Sequence, residues 1–547
     1  MFDLDISEGA WYDEKAKVWH GAKFQHFYDR NASVGRILFE EMRKRPKSIC
    51  QISVTERTSL TNEEALLHAI RLAEWFRSQG FKQSDIIGVA ARNTTHLMTL
   101  VLACFFNGIA LHAVNPVREK KLITDLFDST KPKLIFFDGH EYEKIKGATL
   151  ALEAKLCTLS NHLPNVQSIL ELLQPTGTEK KFAPATLENG PEQTLIILCT
   201  SGTSGLPKAV TISNNKRLCG TFPFLTSKDT LFVLSTIDWL SGIIYFIDSI
   251  VAGAKRIITD QAFNAEYFLK VVSEFKATFA IIAPPLLTTL LNSPAIDADK
   301  LDTLQYLVIG GGKCTTRTQQ RIQNYLRHGR MINVYAFSEF GRVVAINYDL
   351  RQKPQSVGRV QPGHKVKILN ENGEQVGCGE IGEICCNHGE QWLGYYRNSA
   401  VSAEMCDADG WFHTGDLGYF DADGYLSIVD RKKDIFKYKG MQYSPHEILE
   451  VIVKMPDVVD ACVFGLWNEE EGDAAAAVVA GAHGSSLSAR DVIDYVKEHI
   501  EVDYKHLHAG AVVVKELPKL PNGKQNVEEI KKLFISERSD QEKCYLV

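Results

Sequence analysis

The chain has twelve cysteines but no Cys-x-x-Cys pair. They are scattered from Cys50 to Cys544, and the adjacent Cys385 and Cys386 match neither a disulfide framework nor a zinc-site spacing. A reducing compartment is expected. Neither sign of charge dominates: 61 Lys+Arg against 67 Asp+Glu leave a formal charge of -6, which argues against a nucleic-acid polyanion as main partner. A membrane-length apolar run is also missing. The most apolar stretch, Leu97–Val114, is broken by Asn107, Gly108 and His112, short of the roughly 20 residues that a span needs. The opening "MFDLDISEGA" lacks the basic and apolar regions of a secretory signal, and no repeat or low-complexity tract is evident.

What is present is a long chain of ordinary globular composition, 547 residues with 45% apolar and 23% charged. That length predicts two or more domains and room for a large cleft. In the first third, helical and strand patterns alternate. "EEALLHAIRLAEWFRSQG" has helical spacing and stops at Gly80, "DIIGVAA" is a short strand, and Thr95–Phe106 predicts another helix before "IALHAVNP". "TLIILCT", "TLFVLST", "AKRIIT", "ATFAIIAPP" and "LQYLVIGGG" continue the strand series. Such alternation implies parallel sheets flanked by helices, with ligands gathering beyond the carboxyl ends of the strands. From Asn370 the texture becomes turn-rich β. After "DRKKD" it restarts with a helix over Ser444–Lys454, strands in "DACVFGL" and "AAAAVVAGA", and a helix capped by Ser488 with Asp491. A small α+β domain is therefore expected at 434–547.

The chemistry starts at "LCTSGTSGLPKAV", residues 198–210. Glycines at 202 and 205 allow close backbone approach, Thr200, Ser201, Thr203 and Ser204 offer hydroxyls, and Lys208 adds a cation, a composition suited to phosphate. The Gly-x-x-x-x-Gly-Lys-Ser/Thr spacing of the common nucleotide loop is not met, so a kinase-type loop is disfavoured. Taken alone, the segment also reads as a surface Ser/Gly turn.

Five further segments stand in order with it: "AVNP" (113–116), "LVIGGGK" (307–313), "VYAFSEFG" (334–341), "GWFHTGDLGYFDADGYLSIVDRKKDIFKYKGMQYSP" (410–445) and "LPKLPNGK" (517–524). Together they closely resemble the adenylate-forming superfamily of acyl-CoA synthetases, coumarate–CoA ligases and beetle luciferases, along essentially the whole chain. The resemblance implies a large N-terminal domain, 1–433, of two flavodoxin-like β/α subdomains plus a β-barrel-like subdomain, and a small mobile C-terminal lid, 434–547. It implies ATP- and Mg²⁺-dependent activation of a carboxylic acid, fatty or aryl, to an acyl-adenylate, followed by transfer to coenzyme A. Oxidation of the adenylate, a different acceptor, or a weakened acyl- or nucleotide-binding protein remain open alternatives.

The resemblance also assigns roles. Residues 200–208 would hold phosphates, Glu339 Mg²⁺, and Ser338 a phosphate oxygen. Gly310, Gly311, Gly312, Tyr335 and Ala336 correspond to the adenine pocket, and Asp416 with Arg431 to the ribose site. Lys524 is the expected catalytic lysine of adenylation and Lys433 the hinge. Lys437, Lys439 and Gly440 belong to the segment used in the second half-reaction. His413 receives no chemistry. Trp239 stands where relatives often carry a histidine in the acyl pocket, with Gly242 beside it, so a reshaped slot is expected. Ala336 and Ala209 replace usual glycines. The ending "YLV" is not the Ser-Lys-Leu peroxisomal address, which favours the cytosol over the peroxisome.

Overall fold

The computed structural model describes residues 9–24, 28–29, 32–200, 208–215, 218–439, 441–468, 471–520 and 524–544. Two large sheets are built as the alternation predicts. The first has the parallel strands Thr194–Cys199, Ala110–Val114, Ile86–Ala90, Leu134–Asp138 and Lys155–Ser160 in that spatial order, edged by antiparallel Ala209–Ser213. Four of them are apolar and buried along almost their whole length, the signature of strands covered on both faces. The helix expected to start at Thr95 runs Leu97–Asn107 instead. Both the Thr95 amide and its hydroxyl donate to Glu56 Oε2, at 2.5 and 2.6 Å, holding that residue outside the helix.

The second sheet carries parallel Ile49–Ser53, Lys255–Ile258, Thr230–Val233, Phe279–Ile282, Tyr306–Gly310 and Arg330–Phe337. The turn-rich β region does not stand apart from it. Arg342–Asn347 pairs antiparallel with Arg330–Phe337, Ser356–Val360 pairs antiparallel with Arg342–Asn347, and the ladder runs on through Leu426–Arg431, Phe412–Phe420, Gly382–Asn387 and Lys365–Leu369. An N-terminal hairpin, Trp11–Asp13 with Val18–His20, closes the series. Helices Val34–Lys44, Leu97–Asn107 and Leu240–Ala252 pack between the sheets, where Gly35 lets the first approach the second: a Cβ there would lie 2.2 Å from the Phe105 carbonyl oxygen. Phe105 meets Phe246 edge-on at 6.5 Å in this core.

The C-terminal domain has its own core around antiparallel Val458–Asn468 and Gly472–Gly481, with Gly510–Val514 parallel to the latter. The predicted helix at Ser444–Lys454 spans Pro445–Ile452. Ser444 lies outside it in extended conformation as the N-cap, in a capping box with Glu447. The Ser488–Asp491 box forms as read. Among the described residues, no helix is long and apolar enough to cross a membrane.

Candidate active site

The candidate residues 200–208, 310–312 and 335–339 stand at or just beyond the carboxyl ends of Thr194–Cys199, Tyr306–Gly310 and Arg330–Phe337, the region where parallel sheets place a ligand cleft. At its first wall Thr200 and Lys208 close a hairpin. The Thr200 amide donates to the Lys208 carbonyl at 3.1 Å, and the Lys208 amide to Thr200 Oγ1 at 3.3 Å. Ser201, Gly202, Thr203, Ser204 and Gly205 lie outside the described residues. Lys208 Nζ sits 5.0 Å from the centre of the Tyr395 ring, and the Tyr395 hydroxyl donates to Glu339 Oε1 at 2.8 Å. Glu339 and Ser338 belong to a tight turn closed by the Gly341 amide on the Ser338 carbonyl, 3.0 Å. Gly341 has φ +68°, which favours glycine.

The second wall centres on Asp416. It lies directly opposite Arg431 in the pair Phe412–Phe420 with Leu426–Arg431, and its Oδ1 is 3.3 Å from Arg431 Nε. Its Oδ2 accepts from the Tyr335 hydroxyl at 2.6 Å. Burial pushes the Asp416 carboxyl up, against the opposing pull of the Tyr335 hydrogen bond and of Arg431. The Tyr335 phenol, buried beside that carboxylate, is held well above its ordinary value and so remains a donor. Thus the aromatic and the carboxylate read separately from the sequence are one hydrogen-bonded unit. Gly310 packs where a Cβ would meet Val334 Cγ2 at 2.6 Å, Gly311 turns the chain at φ +80°, and Gly312 follows. Ala336 sits at an irregularity in the pairing with Arg342–Asn347.

Behind Asp416, Glu383 accepts from the Gly415 amide at 3.2 Å and pairs with Lys432 at 3.2 Å. His413 lies 3.6 Å from the Cys385 sulfur and 3.5 Å from Asp407. The Cys385 thiol is pushed up to about 12 by burial, so this trio is no nucleophilic site.

The C-terminal domain contributes Lys524. Lys524 is half-buried, and burial first, then the nearby Arg431 guanidinium, lower its ammonium below the usual lysine range. Its carbonyl accepts from the Leu520 amide at 2.7 Å. The domain is seated against the helices Thr316–Gln323 and Pro284–Leu291: the Arg317 guanidinium donates to the carbonyls of Val453 and Met455, the latter at 3.2 Å. Asn292 donates to the Val459 carbonyl at 3.2 Å, and Lys519 to Thr289 Oγ1 at 3.2 Å. Lys437 and Lys439 are not brought to this cleft. Lys439 pairs with Glu471 at 2.8 Å, and the Lys437 amide donates to Asp473 at 3.0 Å. Gly440 lies outside the described residues, and Lys433 is exposed in the turn after Arg431.

Trp239 is the N-cap residue of Leu240–Ala252 and half-buried. Gly242 allows that helix to start close to the preceding loop, since a Cβ there would lie 2.0 Å from the Thr236 carbonyl oxygen. Sequence reasoning missed Tyr395, Glu383 and Arg317. The string "WLGYYRN" places an aromatic pair after a glycine, the one signal available for Tyr395, but nothing in it says what the hydroxyl faces.

Residues 38–396 match the family model described as AMP-binding enzyme, and 447–524 match its C-terminal domain. The chain is similar to the luciferin 4-monooxygenase of Photinus pyralis, 26% identical with 90% of this chain and 92% of the relative covered. It is also similar to the probable 4-coumarate–CoA ligase 1 of Dictyostelium discoideum, 26% identical with 93% and 97% covered. Among solved structures, ATP-bound MatB from Rhodopseudomonas palustris superposes with a TM-score of 0.81 at 22% identity, covering 92% of this chain and 99% of that one. The anthranilate CoA ligase AuaEII with anthranoyl-AMP gives 0.84 at 18%, covering 94% and 99%.

Proposed function

The chain belongs to the AMP-binding enzyme family, the adenylate formers, and from that membership we propose that it activates a carboxylic acid with ATP and passes the acyl group to coenzyme A. The observation that carries the proposal is a set of three groups linked through neighbouring elements: Lys208–Tyr395–Glu339; Tyr335–Asp416–Arg431, with Tyr335 on the strand Arg330–Phe337 that leads into Glu339; and Lys524 from the other domain near Arg431.

In the first step the acid's carboxylate oxygen attacks the α-phosphorus of ATP and pyrophosphate leaves. No proton has to be removed from an ionised acid, so the task is to position two anions and stabilise the charge that gathers between them. Lys208 and the hydroxyl loop hold the β- and γ-phosphates. Asp416 accepts from the ribose hydroxyls, held by Arg431 and Tyr335, and the ring of Tyr335 with residues 310–312 receives the adenine. Lys524, partly desolvated, bridges carboxylate and α-phosphate. Glu339 fits a Mg²⁺ shared with the nucleotide: a hard cation of this kind takes one or two carboxylates plus phosphate oxygens, and Glu339 is a single carboxylate at the phosphate end of the cleft. When bound, the ion would neutralise charge on the phosphates.

For the second step we place the hinge at Lys433, dividing 1–433 from 434–547. Rotation about it carries Lys524 out and brings Lys437, Lys439 and Gly440 to the cleft, where the thiol displaces AMP. The arrangement with Lys524 inside and Lys439 paired to Glu471 supports reading this structure as the adenylation arrangement. For the acid, a fatty or aryl substrate of short reach is favoured. Trp239 stands at the head of the helix whose Tyr245 stacks on Phe222 at 5.1 Å and packs on Phe279 at 5.2 Å, filling space a long chain would need. A panel of carboxylic acids scored for pyrophosphate release, with and without coenzyme A, tests the proposal. Absence of acid-dependent pyrophosphate release across the panel would reject it.

A further inference from the structure

We infer that Tyr395 is a positioning residue that couples Lys208 to Glu339, setting the phosphate-side cation and the carboxylate for the metal-bound nucleotide as one unit. The inference rests on the adenylation reading and adds to it a residue outside the phosphate loop and the Glu339 turn. Tyr395 is 5% exposed and touches both groups: its ring face lies under the Lys208 ammonium at 5.0 Å and its hydroxyl donates to Glu339 Oε1 at 2.8 Å. The two contacts use different parts of the side chain, the quadrupole of the ring and the O–H.

Its backbone is fixed to the strand that follows Lys208. Tyr395 bridges Val210, the Tyr396 amide donates to the Ala209 carbonyl at 2.8 Å, and Thr211 Oγ1 donates to the Gly394 carbonyl at 2.6 Å. From the other side the Tyr395 amide donates to Ser402 Oγ at 2.8 Å, and the Trp392 ring meets the phenol edge-on at 5.2 Å. A residue tied by backbone to the Lys208 strand and by hydroxyl to the Glu339 turn fixes the spacing between the two. The bond occupies one carboxylate oxygen and orients the other, Oε2, for a cation.

The two halves of the contact separate by mutation. Tyr395→Phe keeps the ring under Lys208 and deletes the bond to Glu339, whereas Tyr395→Leu deletes both. Calorimetric titration of ATP, with Mg²⁺ varied or removed by chelation, reads the result without turnover. In Tyr395→Phe, the Mg²⁺ concentration that half-restores tight ATP binding should rise about tenfold, the loss of one hydrogen bond to a carboxylate, with Mg²⁺-free binding unmoved. Tyr395→Leu should also weaken Mg²⁺-free binding. In a Glu339→Ala background, Tyr395→Phe should add nothing to the Mg²⁺ dependence, because the effect runs through Glu339. A Tyr395→Phe enzyme with wild-type Mg²⁺ dependence, or an undiminished effect in the Glu339→Ala background, overturns the coupling. If Tyr395→Phe melts early, the Glu339→Ala cycle, compared at a temperature where every variant is folded, still separates coupling from its absence. Wild-type enzyme that does not bind ATP would instead overturn the adenylation reading itself.

Discussion

Replacing Asp416 by Asn removes one negative charge and leaves the shape. In the native site Oδ2 accepts from Tyr335 at 2.6 Å and Oδ1 faces Arg431 at 3.3 Å, so both oxygens are already oriented when a ribose arrives. The Asn amide can keep one acceptor, but its NH₂ must then face either the Arg431 guanidinium, which only donates, or the Tyr335 hydroxyl, which must turn its own proton away to accept. A hydrogen bond to a charged group is worth about 1.5–3 kcal/mol against about 0.5–1.5 for a neutral pair. Weakening the two ribose contacts should therefore cost about 2–3 kcal/mol, or roughly 30- to 150-fold in ATP affinity. Calorimetric titration with ATP and with 2′-deoxy-ATP checks this directly. Wild type should prefer the ribonucleotide and Asp416→Asn should lose most of that preference, while the melting temperature moves by only a few degrees. If the variant binds ATP weakly yet discriminates ribose from deoxyribose as wild type does, the hydroxyl contact is elsewhere and the reasoning fails.

Lys524→Ala should cut adenylation by about 10²–10³ while sparing transfer from a supplied acyl-adenylate; equal loss in both half-reactions would refute the assignment. Because burial and Arg431 lower the Lys524 ammonium below the ordinary 10.5, charge is lost as pH rises through that lowered value. The alkaline limb of kcat/KM for ATP should accordingly fall below the usual lysine range and move upward in Lys524→Arg. Arg317→Ala removes a cation from the carboxyl end of helix Pro445–Ile452. At about 1 kcal/mol it should slow adenylation roughly fivefold without slowing transfer, as single-turnover assays of each half-reaction would show. Trp239→Ala should shift acid preference toward longer or bulkier substrates; an unchanged profile in a stably folded variant would remove Trp239 from the pocket.

Elements whose determinants are local were legible from the sequence. The strand Thr194–Cys199, the Ser488–Asp491 box and the helix breaking at Gly108 each follow from residues within one or two turns. Several of the candidate site strings, such as 198–210, 307–313 and 334–341, are likewise local, short runs at strand ends. What escaped notice depends on partners far away in the chain. Tyr395 acquires meaning only from Glu339 and Lys208, and Arg317 from carbonyls in the other domain, which any residue type supplies. For the turn-rich region from Asn370 the pattern alone indicates β structure but not which strands pair. That Ser356–Val360 continues the ladder of the parallel sheet is set by register with Arg342–Asn347, and its irregular pairing with Leu426–Arg431 by local departures from the pleat.

The N-terminal hairpin has a consequence for how the chain is made. His20 lies opposite Lys365 and Val18 opposite Lys367, and Ile49–Ser53 pairs with Lys255–Ile258. By contrast, the six strands of the other sheet all lie within residues 86–213. During synthesis the smaller sheet can close early, while the first strands of the larger one wait for partners still to be translated. At about 5–20 residues per second that wait is roughly 20–70 s for Val18–His20. Ile49–Ser53, paired on one side with Thr58–Thr61, presents its other edge until Lys255–Ile258 is made, about 10–40 s at the same rate. Yield on rapid overexpression should therefore be governed less by the finished protein's stability than by what shields that edge, and slowing translation or supplying chaperones should raise the soluble fraction.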